Sequence, residues 1–357
     1  MAVRDSLRSR RSNFARLVGD LPGGSFAFVM ATGIVSIALA RLGFGRIAAV
    51  LFAIDVVAFP LLWILSFLRL AGHRRAVLAE LRQHRTAAGF LSIVAGTGVF
   101  GSEIALFTQD RQLAAMLWLV ACGLWAGLVY AFFAVLTTRP AKPPVAAGLN
   151  GSWLLIVVAT ESLAILGSHV ATVFSQPPII ACLCLGWFLL GGFFYLVIII
   201  PILQRWLFEP MPAAELAPSY WINMGAVAIA ALAGARLTAI SGSDPLLARL
   251  APVVTAATVA CWSLATWWLP LLAAMTIWRH GRGGVPLSYS FEHWSMVFPL
   301  GMYTAATWTV ARADGIAFLG IIPRVFVWIA LAAWLATFAG MLRHLGRRLR
   351  SAVTPPA

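Results

Sequence analysis

The sequence predicts an all-α integral membrane protein: ten transmembrane helices in five hairpins, odd helices forming an inner pore ring and even helices an outer ring. Three observations carry this. Only 11% of the 357 residues are charged and 61% are hydrophobic, with a mean hydropathy of +0.89; a soluble domain carries about 25% charged residues. Long apolar stretches recur ten times, each near the roughly 20 residues that cross a bilayer. The stretches also alternate in kind, the odd ones broken by small and polar residues and the even ones heavy with Trp and Phe.

Taken in order, the spans lie near 24–42, 47–69, 87–107, 113–136, 150–168, 178–203, 220–240, 251–278, 293–311 and 320–343. The first carries Ala31-Thr32-Gly33 and the second Asp55 and Trp63. The third repeats the small-Thr-Gly pattern as Gly96-Thr97-Gly98 and adds Glu103. Trp118 and Trp125 mark the fourth, and Ala159-Thr160-Glu161-Ser162 the fifth. The sixth has Trp187 and ends at Trp206; the seventh has Met224-Gly225-Ala226 and Arg236. Trp262, Trp267, Trp268 and Trp278 belong to the eighth. Phe298-Pro299-Leu300-Gly301 interrupts the ninth, and Trp328 and Trp334 fill the tenth.

Eleven of the 15 Trp thus fall in or at the end of even spans. Bulky aromatics suit lipid contact and the interface. Small residues let helices approach closely or open a lumen. Either role fits any one small-residue break, and recurrence in the odd class alone favours a lumen. Thr32, Gly33, Thr97, Gly98, Thr160, Glu161, Gly225 and Gly301 are therefore the candidate lining residues.

Charge orients the bundle. With the N-terminus in the cytoplasm, nineteen of the 26 Lys and Arg fall in inside segments and six outside, with Arg236 within a span. This obeys the positive-inside rule and places both termini in the cytoplasm, which requires an even number of spans. The formal charge of +14 is thereby explained by topology and not by nucleic acid. Residues 1–20 read as a short basic cytoplasmic segment, 21–345 as one ten-helix domain and 346–357 as a short cytoplasmic tail. The first stretch is too long for a signal-peptide core and nine more follow.

Ionisable groups within a span are functional candidates by default. Glu161 reads either as a hydrogen-bonded helix link or as a lumen carboxylate coupling proton and anion movement. Glu103 and Arg236 both fall near outer span ends and are expected to pair; otherwise Arg236 raises the potential at the outer mouth and attracts anions. Asp55 is expected to turn inward, and Glu292 and His293 to cap or be solvated. Pro299 cannot donate to the Ser295 carbonyl, which predicts a kink. Phe298 beside it is either a packed core ring or a plug at the kink.

Cys122, Cys182, Cys184 and Cys261 all lie in apolar spans as small hydrophobes. The six His sit in loops or near span ends, with no metal-ligand spacing, so neither an enzyme nor a cofactor is expected.

The stretch Phe26-Ala-Phe-Val-Met-Ala-Thr-Gly-Ile-Val-Ser-Ile-Ala38 resembles the first helix of the tellurite-resistance/C4-dicarboxylate transporters. That family includes fungal malate and sulphite transporters and plant slow-type anion channels. Gly89–Gly98, Tyr220-Trp-Ile-Asn-Met-Gly-Ala226 and His293-Trp-Ser-Met-Val-Phe-Pro299 are further similarities. The resemblance implies five hairpins around a pseudo-five-fold pore and a homotrimer with one pore per protomer. By its place in Trp-x-x-x-Phe-Pro, Phe298 resembles the gate of the channel members. An acid at Glu161 departs from a simple anion pore and favours a proton-linked carrier or efflux protein. The long cytoplasmic tails of the plant channels, and with them phosphorylation gating, are not expected. The expected role is passage of small anions (malate-like dicarboxylates, sulphite, chloride, nitrate or tellurium oxyanions) across the cell membrane.

Overall fold

The computed structural model describes residues 17–313 and 315–353. Most of the basic N-terminal stretch (residues 1–16) and the last four residues lie outside them. The described residues form helices joined by turns and loops, with no strand among them. Ten helices organise them: α1 Ala27–Arg41, α2 Gly45–Gly72, α3 Ser92–Phe107, α4 Arg111–Thr137, α5 Leu155–Val170, α6 Pro177–Phe208, α7 Ile222–Ile240, α8 Pro245–His280, α9 Trp294–Ala313 and α10 Ile321–Val353. Each coincides with a predicted span to within several residues. The largest departure is α10, which continues through Arg347 and Arg348 into the stretch read as a tail.

Eight helical segments are long and apolar enough to cross a membrane; α1 and α9 are not among them. With 15 residues, α1 spans only about 22 Å at 1.5 Å per residue. The polar content of α9 includes Ser295, Thr304, Thr307, Thr309 and Arg312. α1 is apolar but short, and most residues of both helices are buried against other helices. In the apolar windows of α3, α5 and α7, 78%, 94% and 83% of residues are buried; in those of α2, α4, α6, α8 and α10 the share is 17–39%. The two classes of stretch are therefore two environments, one enclosed and one facing outward.

Packing follows the same division. α1 packs on α3, α3 on α5, α5 on α7, α7 on α9, and α9 back on α1. Each even helix lies against the odd helix before it and the odd helix after it. The turn within each odd–even pair is short, as between Arg41 and Gly45 or Phe107 and Arg111. Gly43 (φ 91°) and Gln109 (φ 59°) reverse the chain there in the left-handed region. Asp110 then caps α4 by accepting from the Leu113 N–H at 2.9 Å, and Asp244 caps α8 through the Leu246 and Leu247 N–H groups.

Side chains tie each even helix to the following odd one. The indole N–H groups of Trp125, Trp262 and Trp334 donate to the hydroxyls of Thr160, Thr307 and Thr32 at 2.9, 3.0 and 2.9 Å. The Tyr195 hydroxyl donates to the Asn223 carbonyl at 3.3 Å, and Phe59 stacks on Phe100 at 4.5 Å. Tryptophan in the even helices thus serves inter-helix bonding as well as lipid contact.

Candidate functional site

The five odd helices enclose a cavity of about 200 Å³. Every lining residue comes from α1, α3, α5, α7 or α9, from the middle of each helix toward its C-terminal end. The five helices therefore run in the same direction around it. Their lining residues recur at helical spacing and fall into tiers. Ile34, Gly98, Ser162, Ile229 and Met302 form the deepest tier, and Ile37, Ser102, Ile165, Leu232 and Ala305 the next. Arg41, Leu106, His169, Arg236, Trp308 and Thr309 form the mouth.

The chemistry of this wall is one-sided. It presents two guanidinium groups, an imidazole and the hydroxyls of Ser102, Ser162 and Thr309, and no carboxylate. Arg236 Nε donates to the Ser168 hydroxyl at 3.4 Å. Arg41 and Arg312 sit over the Trp308 ring at 5.4 and 4.7 Å from its centroid, a cation–π arrangement that positions both charges. His169 Nδ1 lies 2.9 Å from the Ile165 carbonyl, which only accepts, so Nδ1 carries a hydrogen.

Four residues before the deepest tier, the same stripes carry Met30, Val94, Val158, Gly225 and Phe298. None of these lines the cavity. Met30, Val94, Val158 and Phe298 are at most 1% exposed. Phe298 is the largest of these residues one turn below the cavity floor.

Sequence-predicted residues divide between three places. Gly98 lines the cavity, and Arg236 stands at its mouth. Gly33, Gly225 and Gly301 are contact points between neighbouring odd helices. A Cβ on Gly33 would meet Val99 at 2.6 Å, one on Gly225 would meet Pro299 at 2.8 Å, and one on Gly301 would meet Ile34 at 2.8 Å. Gly98 does both, since a Cβ there would lie 2.9 Å from Ser162. Thr32 and Thr160 turn their hydroxyls to the even helices, where an indole donor satisfies them. Thr97 donates to the Ile93 carbonyl one turn back. Pro299 lies within an unbroken α9 and packs on Gly225.

The acids stand apart from the cavity. Glu103 does not pair with Arg236; its carboxyl converges with that of Asp55 beside Gly33, where a Cβ would lie 2.9 and 3.1 Å from the two. Asp55 does turn inward, as expected. Glu161 faces α6, with Oε1 against the position a Cβ on Gly191 would take, and neither oxygen has a hydrogen-bond partner. His293 takes part in a capping box with Ser290 before α9. Sequence reading leaves Arg41 and His169 among charges at span ends. The missed signal is spacing: each stands seven residues beyond a deepest-tier residue, Ile34 or Ser162, as Arg236 stands seven beyond Ile229.

Residues 20–342 match the SLAC1 family, described as voltage-dependent anion channels. An uncharacterized membrane protein of Mycobacterium tuberculosis is 37% identical over 153 residues, covering 43% of this chain and 77% of the relative. Two uncharacterized transporters of Methanocaldococcus jannaschii are 25% and 24% identical over 326 and 323 residues. Each of these alignments covers 87% of this chain, and 91% and 90% of the relatives. A match of this extent, on a multi-helix membrane fold, places the chain in the SLAC1 family of anion channels and transporters.

Proposed function

We propose that the chain passes small anions along the axis of the five-helix ring and that Phe298 is the gate. The observation that carries this is the cavity wall, which offers Arg41, Arg236, His169 and hydroxyls to a solute and no carboxylate. Cations at the mouth raise the local anion concentration, and their guanidinium N–H groups replace part of the hydration shell. The apolar tier at Phe298 closes the path, and rotation of that ring opens it. In this reading the cavity mouth faces outward and both termini lie in the cytoplasm of the cell membrane, an orientation the positive-inside charge bias supports. Substrates in this reading are malate-like dicarboxylates, sulphite, chloride or nitrate, and tellurium oxyanions, carried by each protomer of a homotrimer. The test is flux of chloride, sulphite and malate into liposomes holding purified protein, for the native chain and Phe298→Ala. Increased flux in the variant is expected. Unchanged flux at equal protein content overturns the gate.

Glu161 supports a second reading, a proton-coupled carrier. Its buried carboxyl has no hydrogen-bond partner and stands behind the ring, against α6. Glu161→Gln is expected to uncouple malate uptake from a pH gradient; uptake that still follows the gradient removes this role.

A further inference from the structure

We propose that a basic pocket at the opposite end of the ring from the cavity binds a phosphate-bearing anion. It has a volume of about 410 Å³ and lies between residues 83–85, ahead of α3, and residues 139–148, ahead of α5. His84, Arg85, Arg139 and Lys142 line it, together with Gln83. Arg82 joins through the adjoining hollow that it forms with Val135, Thr138, Arg139 and Pro140. The pocket shares no residue with the cavity.

Four further observations separate this cluster from ordinary loop charge. First, no acid lines either hollow. The ion pairs among the described residues are Arg69–Glu80, Arg205–Glu215 and Arg348–Asp20, and none uses Arg82, Arg85, Arg139 or Lys142. Glu80, on the same connection, is occupied by Arg69 and by the Gly23 N–H.

Second, the frame is built. Trp153 Nε1 donates to the His84 carbonyl at 2.8 Å, and Asn150 Nδ2 to the Arg85 carbonyl at 3.1 Å. Arg139 donates to the Arg82 carbonyl, which ties the two connections together. Gly148 forms part of the wall because a Cβ there would lie 3.2 Å from His84 Cβ.

Third, the positive field is felt locally: burial, then Arg139 and Lys142, hold the His84 imidazole below its ordinary range. Fourth, the donors suit the ligand. Guanidinium forks bind phosphate oxygens in pairs, and the hollow is far larger than a halide requires. Val135 and Pro140 add an apolar edge, which fits a phospholipid headgroup as well as a free polyphosphate. The pinned connections lead into α3 and α5, so an occupant would bear directly on the ring.

The test uses the purified full chain and two probes. One is soluble inositol hexakisphosphate, followed by calorimetry in detergent. The other is phosphatidylglycerol in phosphatidylcholine nanodiscs, followed by native mass spectrometry. At least one probe is expected to bind, and the double change Arg139→Gln, Lys142→Gln to weaken it about tenfold. Arg282→Gln, an exposed cation on another connection, is expected to bind as the native chain does. Lys142→Gln alone, at an exposed position, is expected to weaken binding in the same direction should the double variant fail to fold. Hexakisphosphate binding alone identifies a free phosphate ligand, phosphatidylglycerol binding alone a headgroup, and binding of both the shared phosphate chemistry. The proposal is overturned if neither probe binds, if the pocket variants bind normally, or if Arg282→Gln weakens binding equally.

Discussion

Gly225 of α7 and Pro299 of α9 are in direct contact: a methyl group on Gly225 would stand 2.8 Å from Pro299 Cγ. This contact seats the turn of α9 that carries Phe298. Gly225→Ala is therefore expected to cost about 1–3 kcal/mol by overpacking and to alter flux by displacing Phe298. A thermal unfolding curve and a liposome flux assay on the same preparation check both effects.

Phe298→Ala is expected to move two measurements in opposite directions. Truncating a fully buried Phe costs about 3–5 kcal/mol of stability, while the widened tier raises anion flux. A ring that is only packing would lower stability and leave flux per folded protomer unchanged.

The mouth cations act at a distance. Arg236→Gln and Arg41→Gln are each expected to reduce flux at low ionic strength, together on the order of tenfold. The difference should shrink at high salt, where the Debye length falls to about 3 Å at 1 M. Flux measured across a salt series would falsify this if the deficit stayed constant.

Glu161 and Gly191 define a second close contact, behind the ring. Gly191→Ala drives a Cβ into Glu161 Oε1 and is expected to destabilise the fold by about 1–3 kcal/mol. Glu161→Ala removes the clashing group, so the two changes should couple by about 0.5–3 kcal/mol in a double-mutant cycle. Additive melting shifts would place the Glu161 carboxyl elsewhere.

His84 reports on the basic pocket. Burial and the two neighbouring cations disfavour its charged form. An anion in the pocket favours that form, so inositol hexakisphosphate is expected to raise the His84 pKa. Arg139→Gln with Lys142→Gln should raise it without any ligand. Ring-proton NMR shifts across a pH titration follow both.

Of the eight lining residues expected from the sequence only Gly98 lines the cavity, with Arg236 at its mouth, because the sequence does not say which way a residue faces. The ninth-span motif points to Phe298, and Arg236 stands out as a charge within a span. The small-Thr-Gly breaks identify the enclosed helices without identifying a lumen. Gly33, Gly225 and Gly301 serve helix contact, and Thr32 and Thr160 serve indole donors on α10 and α4. Hydrophobic periodicity does not mark the inner stripe of a helix enclosed on all sides; only the seven-residue spacing to Arg41, His169 and Arg236 does. Met30 and Ile34 read from sequence like any other core residues.

The sequence by itself determined the class of protein, the ten helices nearly to their ends, and their division into enclosed and outward-facing kinds. These follow from local properties: apolar length, turn chemistry and the bulk of side chains. Only the tertiary structure decided that Arg41, His169 and Arg236 share one mouth, that Glu103 meets Asp55 instead of Arg236, and that Glu161 faces Gly191 behind the ring. Those outcomes depend on the rotation of each helix about its axis. That rotation is fixed by contacts between residues far apart in the chain, as between Trp334 and Thr32.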